Sequence, residues 1–343
     1  TYTFSVVEYN NVNGYKDYKQ FNENIVSIQA YIPQSNTNAF IKLIGNSTFT
    51  GNQSPFSFFK NSLDGIYFNQ NRGLNMTNDG GVTWKRLANN VKGDWATSKY
   101  IDNNFIYIGT STGRIIKINK NNFNDFSTIN ISGQVTSIYF NNNNGYACST
   151  NGKLYKTTNN GLTWVENNAF SQPIMSSYFI DIMTGWITLG NSNTSSPNIK
   201  VLKTSDGGNT WSQYSVPHTN IGGYISDIYF FNPSDGSAVS SRGWLLKTTN
   251  GGVTWSQENI FGSLVTSENY DKFPKINFLN NSVGYINFRN QKLAKTIDGG
   301  NTWQVLDVQN IADRWMGDLQ ILSENEVFLF GEGGILKTIT GGL

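Results

Sequence analysis

The octapeptide Thr204-Ser205-Asp206-Gly207-Gly208-Asn209-Thr210-Trp211 constrains this chain more than any other stretch, because it recurs. Residues 77–84 and 296–303 repeat it with Asp79 and Asp298 in the acidic position, and residues 248–255 and 157–164 carry Asn250 and Asn159 there. A sixth copy, Thr338-Ile339-Thr340-Gly341-Gly342, breaks off at the last residues. Each copy sets a short polar side chain ahead of glycine, the chemistry of a turn whose backbone needs φ > 0. Each full copy then resumes with a β-branched Thr and a large Trp, which suit a strand. The octapeptide therefore reads as a tight turn between two strands, with its Trp folded back as a packing anchor.

The threonines that open the copies stand at 77, 157, 204, 248, 296 and 338, with gaps of 80, 47, 44, 48 and 42 residues. Between them runs a common unit. One instance is residues 135–140, an Asn-rich turn, residues 145–149, a turn at Asn151-Gly152, then residues 153–157 and the octapeptide. Residues 225–230, 236–240 and 244–248 make another, and residues 275–278 with 284–288, and 56–71, supply parts of two more. The order is strand A, turn, strand B, turn, strand C, octapeptide, strand D, which is one blade of a propeller. The first gap is double the rest and hides a further unit. Residues 105–109 and 114–117 give its strands B and C, and residues 120–125 a degenerate octapeptide. Seven units of roughly 40–48 residues predict an all-β, seven-bladed β-propeller over residues 54–343, with the turn motif between strands C and D.

Residues 1–53 fit the repeat poorly and are expected to form N-terminal strands, at 1–8, 25–32 and 40–44, with a loop at Pro33-Gln34-Ser35-Asn36. The last unit lacks a strand D. Either residues 1–8 or 40–44 close the ring by supplying it, or the natural chain continues and the N-terminal strands are an addition.

The motif is the Asp-box pattern (Ser/Thr-x-Asp-x-Gly-x-Thr-Trp), also called the bacterial neuraminidase repeat, seen in sialidases, large glucanases, sortilin-like receptors and photosystem II stability/assembly factors. The unit Gly-x-Leu-x-Lys-Thr-x-Asp/Asn-Gly-Gly-x-Thr-Trp most resembles the last family and its relatives in non-photosynthetic bacteria, over roughly residues 54–343. That resemblance implies a non-catalytic seven-bladed platform outside the cytosol; the photosynthetic members have an arginine-rich patch for membrane-protein partners. The sialidase alternative requires a Phe/Tyr-Arg-Ile-Pro segment that is absent. The nearest aromatic run, Phe56-Ser57-Phe58-Phe59-Lys60, has no arginine.

Composition removes several chemistries. Cys148 is the only cysteine and His218 the only histidine, so an intrachain disulfide, a cysteine-based metal site and a multi-histidine metal site are all excluded. No cofactor or metal is expected. No stretch approaches a membrane-spanning length of apolar residues. The net charge of +2 gives no global attraction to nucleic acid. Electrostatic function must then come from local clustering.

Such clustering is expected at the B–C turns, which a propeller gathers on one face while the A–B turns and the boxes take the other. In blade order they carry Arg72, Arg114, Lys153, Lys200, Arg242, then Arg289 with Lys292, and finally Glu332. Trp244 sits in the same turn as Arg242. A rim of this kind suits carboxylates, an acidic peptide or an anionic glycan. The lysines preceding each box (117, 156, 203, 247, 295 and 337) and the box acids read as scaffold. Asp94, Asp227 and Asp318 lie near strand A starts and read as solvated turn residues. Tryptophans 95, 186, 244 and 315 lie outside the boxes and read chiefly as packing residues.

The resemblance implies a non-catalytic protein-interaction or assembly platform of a bacterial envelope or cell surface, extracytoplasmic, and the basic turns add the expectation that it binds an acidic protein partner through that face. The alternative is a glycan-binding or glycoside-hydrolase-like propeller.

Overall fold

β-Branched and aromatic residues broken by Asn- and Gly-rich turns give short strands, and no helix among the described residues. The structure is a computed structural model that describes residues 9–12, 15–18, 29–31, 40–43, 56–61, 63–69, 73–81, 83–88, 94–190, 199–216, 223–260, 274–288, 292–307, 316–331, 334–338 and 340–341. The expected strand at 1–8 and the loop at 33–36 lie outside these.

Four strands open the chain: β1 (Tyr9–Val12), β2 (Tyr15–Tyr18), β3 (Gln29–Tyr31) and β4 (Phe40–Leu43). The first three form one antiparallel sheet, and β4 joins another. Strands β5 (Phe56–Phe59), β6 (Gly65–Asn69), β7 (Gly73–Thr77) and β8 (Lys85–Ala88) make a four-stranded sheet in sequence order.

The chain divides into two compact units, one of Thr1–Gly93 with Asn277–Leu343 and one of Asp94–Ile276. The second unit holds four sheets, each ordered A-B-C-D. They are β9 (Ala96–Ile101), β10 (Phe105–Thr110), β11 (Arg114–Asn119) and β12 (Asn122–Asn130); β13 (Val135–Asn141), β14 (Asn144–Ser149), β15 (Lys153–Thr157) and β16 (Val165–Ala169); β17 (Ile174–Phe179), β18 (Gly185–Leu189), β19 (Lys200–Thr204) and β20 (Ser212–Ser215); and β21 (Ile225–Phe230), β22 (Gly236–Ser240), β23 (Leu245–Thr248) and β24 (Ser256–Glu258). The expected degenerate box at 120–125 is instead a tight turn at Lys120-Asn121 that runs straight into β12, with a register shift beside Asn119.

Later in the chain come the sheet of β25 (Lys275–Phe278), β26 (Gly284–Phe288), β27 (Lys292–Thr296) and β28 (Gln304–Asp307), and that of β29 (Met316–Ile321), β30 (Val327–Gly331) and β31 (Gly334–Thr338). This last sheet takes β4 as its fourth strand, with Thr338 opposite Phe40 and Leu336 opposite Lys42. The sheet whose box breaks off is thus completed by β4, which falls in the segment expected at 40–44. Seven four-stranded antiparallel sheets make the fold an all-β, seven-bladed propeller.

The boxes explain their own sequence. Thr204 Oγ1 donates to Asp206 Oδ1 (2.9 Å) and accepts from Gly208 N (2.7 Å), while Asp206 accepts from the backbone and hydroxyl of Thr210 at 2.9 and 2.6 Å. Gly207 and Gly208 sit at φ 69° and 76°, where a side chain is disfavoured. Asn250 closes the same turn with the polarity of one bond reversed. Its Oδ1 accepts from Thr254 N at 2.9 Å and its Nδ2 donates to Thr254 Oγ1 at 2.8 Å. Asp and Asn are therefore interchangeable here because the threonine hydroxyl can turn.

Neighbouring blades are held by an aromatic relay. In the Asp94–Ile276 unit the strand-B rings Tyr107, Tyr146 and Trp186 stack on the strand-A rings Phe140, Phe179 and Phe230 of the next blade, with centroids 3.9, 4.2 and 3.6 Å apart. Each phenylalanine then meets its own box Trp edge to face, Phe140 with Trp164 at 5.5 Å, Phe179 with Trp211 at 6.4 Å and Phe230 with Trp255 at 6.1 Å. In the other unit Phe328 stacks on Phe59 at 4.5 Å, and Phe59 meets Trp84 at 6.2 Å. The strand-B glycines make room for this. A Cβ on Gly145 or Gly236 would lie 2.7 or 2.6 Å from the ring of Phe140 or Phe230.

The polar tips of the strand-B rings reach the next box. Tyr146 Oη donates to Gly207 O at 2.9 Å, Trp186 Nε1 to Gly251 O at 2.8 Å and Tyr285 Oη to Gly341 O at 3.0 Å. Tyr107 Oη donates to Asn160 Oδ1, at the same box position, at 2.7 Å. The lysines before the boxes lie over these rings, Lys156 over Tyr146 at 5.6 Å, Lys203 over Trp186 at 5.2 Å and Lys295 over Tyr285 at 5.6 Å. The scaffold role of these three is thus a cation–π clasp on the strand-B ring of their own blade, while Lys247 pairs with Glu258 at 3.1 Å.

Candidate functional site

The residue that opens strand C follows a turn built the same way in three blades of the Asp94–Ile276 unit. Glycines 113, 152 and 243, at φ 87°, 73° and 80°, donate their N–H back to Thr110, Ser149 and Ser240. In two of the three, the hydroxyl at the turn's start also fixes the residue after the glycine: Thr110 Oγ1 accepts from Arg114 N at 3.0 Å, and Ser240 Oγ from Trp244 N at 3.1 Å. Counted from these turns and from the box threonines, Arg114, Lys153, Lys200 and Trp244 are equivalent. Lys292, the first residue of β27, shares the position by register. Arg242, expected in the same turn, stands two residues before this position, and Trp244 takes the place opposite Ser240. An aromatic ring therefore occupies one step of a row of cations.

Arg114 and Lys153 are not unopposed. Arg114 Nη1 lies 3.8 Å from Asp94 Oδ2 of its own blade, and Lys153 Nζ lies 2.8 Å from Glu166 Oε2 of its own blade. The Glu166 contact raises the Lys153 pKa. Lys200 is half-buried and has no ion pair among the described residues. Arg242 and Trp244 are half-buried in their turn. Arg72, Arg289, Glu332 and Trp315 lie outside the described residues, as does the one histidine, His218.

Asp94 departs from expectation. It is not a solvated turn residue but only 2% exposed. Its carboxylate accepts from Ser111 Oγ (2.6 Å), Thr112 N (3.2 Å), Trp95 N (3.0 Å) and the Thr112 hydroxyl. Burial pushes its pKa up, and the bonds from Ser111, Thr110 and Thr112 outweigh that and hold it below the usual carboxylate value. The hydroxyl-rich run Thr110-Ser111-Thr112 was the available signal for this role. Asp227 is likewise committed. It accepts from Ser176 Oγ of the preceding blade at 2.9 Å and from Ile276 N at 3.1 Å, with Lys275 Nζ 3.9 Å away. Both carboxylates fasten turns and blades, and Asp318 lies half-buried in β29. Among the described residues no cluster of His, Cys, Asp and Glu could hold a metal ion. No described helix is long and apolar enough to cross a membrane.

Comparison with known proteins agrees with this architecture. Residues 208–311 match the family model of Photosynthesis system II assembly factor YCF48. A solved structure of YCF48 bound to D1 peptide superposes with a TM-score of 0.64 at 15% identity, covering 90% of this chain and 96% of that one. YCF48 from Cyanidioschyzon merolae gives 0.59 at 15% identity over 83% and 94% of the two chains. The WD40 β-propeller domain of Doa1 gives 0.62 at 10% identity over 83% and 92%. No curated protein matches in sequence. At such identities the structural likeness is one of fold. The chain is a β-propeller of the bacterial neuraminidase repeat type, similar to the photosystem II assembly factors in one sequence segment and in overall fold.

Proposed function

We propose that this propeller is a non-catalytic interaction platform of a bacterial envelope or cell surface, outside the cytosol, that holds an acidic segment of a protein partner. The observation that carries it is the row of equivalent positions where the turn meets strand C, Arg114, Lys153, Lys200 and, one residue before β23, Trp244, in successive blades. Arg242 stands beside the row, Lys292 continues it by register, and Arg72 and Arg289 join it by sequence. The similar protein YCF48 has been solved with a D1 peptide, which supports a protein partner. Guanidinium groups supply paired donors for carboxylates, and Trp244 supplies a flat apolar surface beside them. Because Asp94 and Glu166 already offset Arg114 and Lys153, the attraction falls mainly on Lys200.

Fluorescence anisotropy with short labelled peptides of acidic, neutral and basic composition tests this. The acidic set should bind best, and binding should weaken with salt. Lys200→Glu with Arg242→Glu should abolish the preference, with urea denaturation showing that the double variant remains folded. An acidic peptide bound equally by wild type and the double variant at low salt refutes the basic row. Cleavage of a glycan substrate would refute the non-catalytic reading and favour a glycan-active propeller.

A further inference from the structure

Six of the seven four-stranded sheets draw their fourth strand from the chain that directly follows the third. In five of them a box makes that join, and in four of those boxes the Trp indole is pinned to a glycine carbonyl of the same turn. The sheet of β29, β30 and β31 differs. Its fourth strand, β4, comes from the other end of the sequence, and it is joined to β31 by the backbone pairing of Phe40–Leu43 with residues 335–338. Closing so long a loop costs more chain entropy than closing a box. An outer strand held this way opens more readily than one held by a turn.

The contacts that join this sheet to the next one bypass β4. Gln320 of β29 bonds the backbone of Phe59 in β5 twice, accepting from Phe59 N and donating to Phe59 O, both at 2.8 Å. Phe328 stacks on the same ring at 4.5 Å and Phe330 at 6.1 Å, with Ile335 of β31 in the same buried cluster. The third strand is anchored independently as well. Lys337 pairs with Glu326 at 2.6 Å, Gly341 N donates to Asn325 O at 2.7 Å, and Tyr285 of the preceding blade donates to Gly341 O at 3.0 Å. Release of β4 therefore leaves β31 paired with β30, fixed in place and bare along one edge. A bare edge of this kind is a template for another strand.

The strand that fits this edge in sequence and register is β4, and every copy of the chain carries one. We propose that the β31 edge is an exchange site, occupied by β4 of the same molecule and, once that strand is released, by β4 of a second copy. Residues 44–55 link β4 to β5. Fully extended, at roughly 3.3–3.6 Å per residue, a link of that length spans about 40 Å, enough to hand β4 to a neighbouring molecule. The partner is thus a second copy of this chain, the exchange is reciprocal, and its product is a strand-swapped dimer. The site is separate from the row of cations where the turns meet strand C, and it stands whether or not that row holds a peptide.

The test uses the full chain and a fluorescent peptide of residues 37–46, Thr-Asn-Ala-Phe-Ile-Lys-Leu-Ile-Gly-Asn. Wild type should bind it saturably and slowly, at a rate that levels off with peptide concentration because release of β4 limits it. Successive backbone N–H groups of a strand point to opposite edges, so Ile41→Pro with Lys42→Pro removes one that faces β31. The double variant should keep the circular dichroism of wild type and bind the peptide at least about tenfold more tightly, since its own strand no longer competes. A peptide carrying the same two prolines should bind neither protein. Light scattering after incubation of concentrated protein should find dimer in wild type and monomer alone in the variant. An unfolded variant would make β4 part of ring closure, and a folded variant that leaves the peptide unbound would deny β31 an acceptor edge; either overturns the proposal. So does wild type that stays monomeric, or a dimer that survives the two prolines.

Discussion

Trp186 lies flat on Phe230 of the following blade, with ring centroids 3.6 Å apart and planes 7° from parallel, while its indole nitrogen donates to Gly251 O at 2.8 Å. Both rings are buried, and they join a cluster with Trp255, Ile228 and Leu246. One side chain thus anchors a neighbouring strand and a neighbouring box at once. Trp186→Ala should cost about 3–5 kcal/mol, the range for deleting a large buried aromatic. Trp186→Phe keeps the stack and leaves Gly251 O without its donor, so it should cost about 1–2 kcal/mol. Urea denaturation of the three proteins measures both. Equal losses for Ala and Phe would show that the hydrogen bond, not the stack, holds the blades.

Acid sensitivity should distinguish the two kinds of box. Hydrogen bonds from the Thr210 hydroxyl and backbone lower the Asp206 pKa to about 2, and those from Thr302 do the same for Asp298. A carboxyl depressed in the folded state contributes stability above its unfolded pKa of about 3.9 and loses it as pH falls through the folded value. Between roughly pH 4 and pH 2 the wild type should therefore lose the support of these two boxes. Asp206→Asn with Asp298→Asn copies the geometry of Asn250 and should flatten that part of the stability curve, with little change at pH 7. Urea midpoints at a series of pH values give the comparison. An unchanged acid slope would mean that these carboxylates are not coupled to folding.

Cys148 offers a probe of global opening. The thiol is buried in β14, and burial pushes its pKa up to about 11, against the opposing effect of Ser137 and Ser177. Thiolate is the reactive form, so the native protein should resist iodoacetamide at pH 8, and labelling should follow unfolding. Quantitative labelling of the native chain within minutes would show that β14 opens far more readily than its burial implies.

What the sequence made legible was local or periodic. Residues 204–211 and their copies specify a turn through contacts within a few residues, and their spacing counts the blades, including the one without a box. Contacts between blades were not legible. Tyr146 reaches Gly207 and Trp186 reaches Gly251 across long sequence separations, and nothing local in either ring names its partner. The lysines before the boxes were visible as a repeat, while the rings they cover became clear only in space. At the candidate face, the sequence put Arg242 and Trp244 in one turn, but which of them is equivalent to Arg114 is set by the left-handed glycine of the turn, and the residue after it is Trp244. The burial of Asp94 was hidden for the same reason, its donors lying in a turn that the pairing of β9 with β10 carries back to it.

Asp94 supports the final prediction, which separates building the candidate face from serving it. Its carboxylate holds the 110–114 turn through Ser111 and Thr112 and lies 3.8 Å from the Arg114 guanidinium, whose Nη1 is buried without a hydrogen bond. Removing the carboxylate leaves several donors unmet and a cation half-buried beside them. Asp94→Ala should cost roughly 2–4 kcal/mol for that reason. Asp94→Asn keeps one acceptor oxygen, so it should cost less. The pKa of Asp94 is lowered on folding, so its contribution is present above the ordinary carboxyl range and fades as pH falls through the lowered value. The gap between wild type and Asp94→Ala should therefore narrow in acid. Arg114→Ala in the Asp94→Ala background supplies the check, because it removes the stranded charge and should recover part of the loss. If the double variant is as unstable as the two single losses added together, Asp94 acts on the turn alone and Arg114 is free to meet a partner.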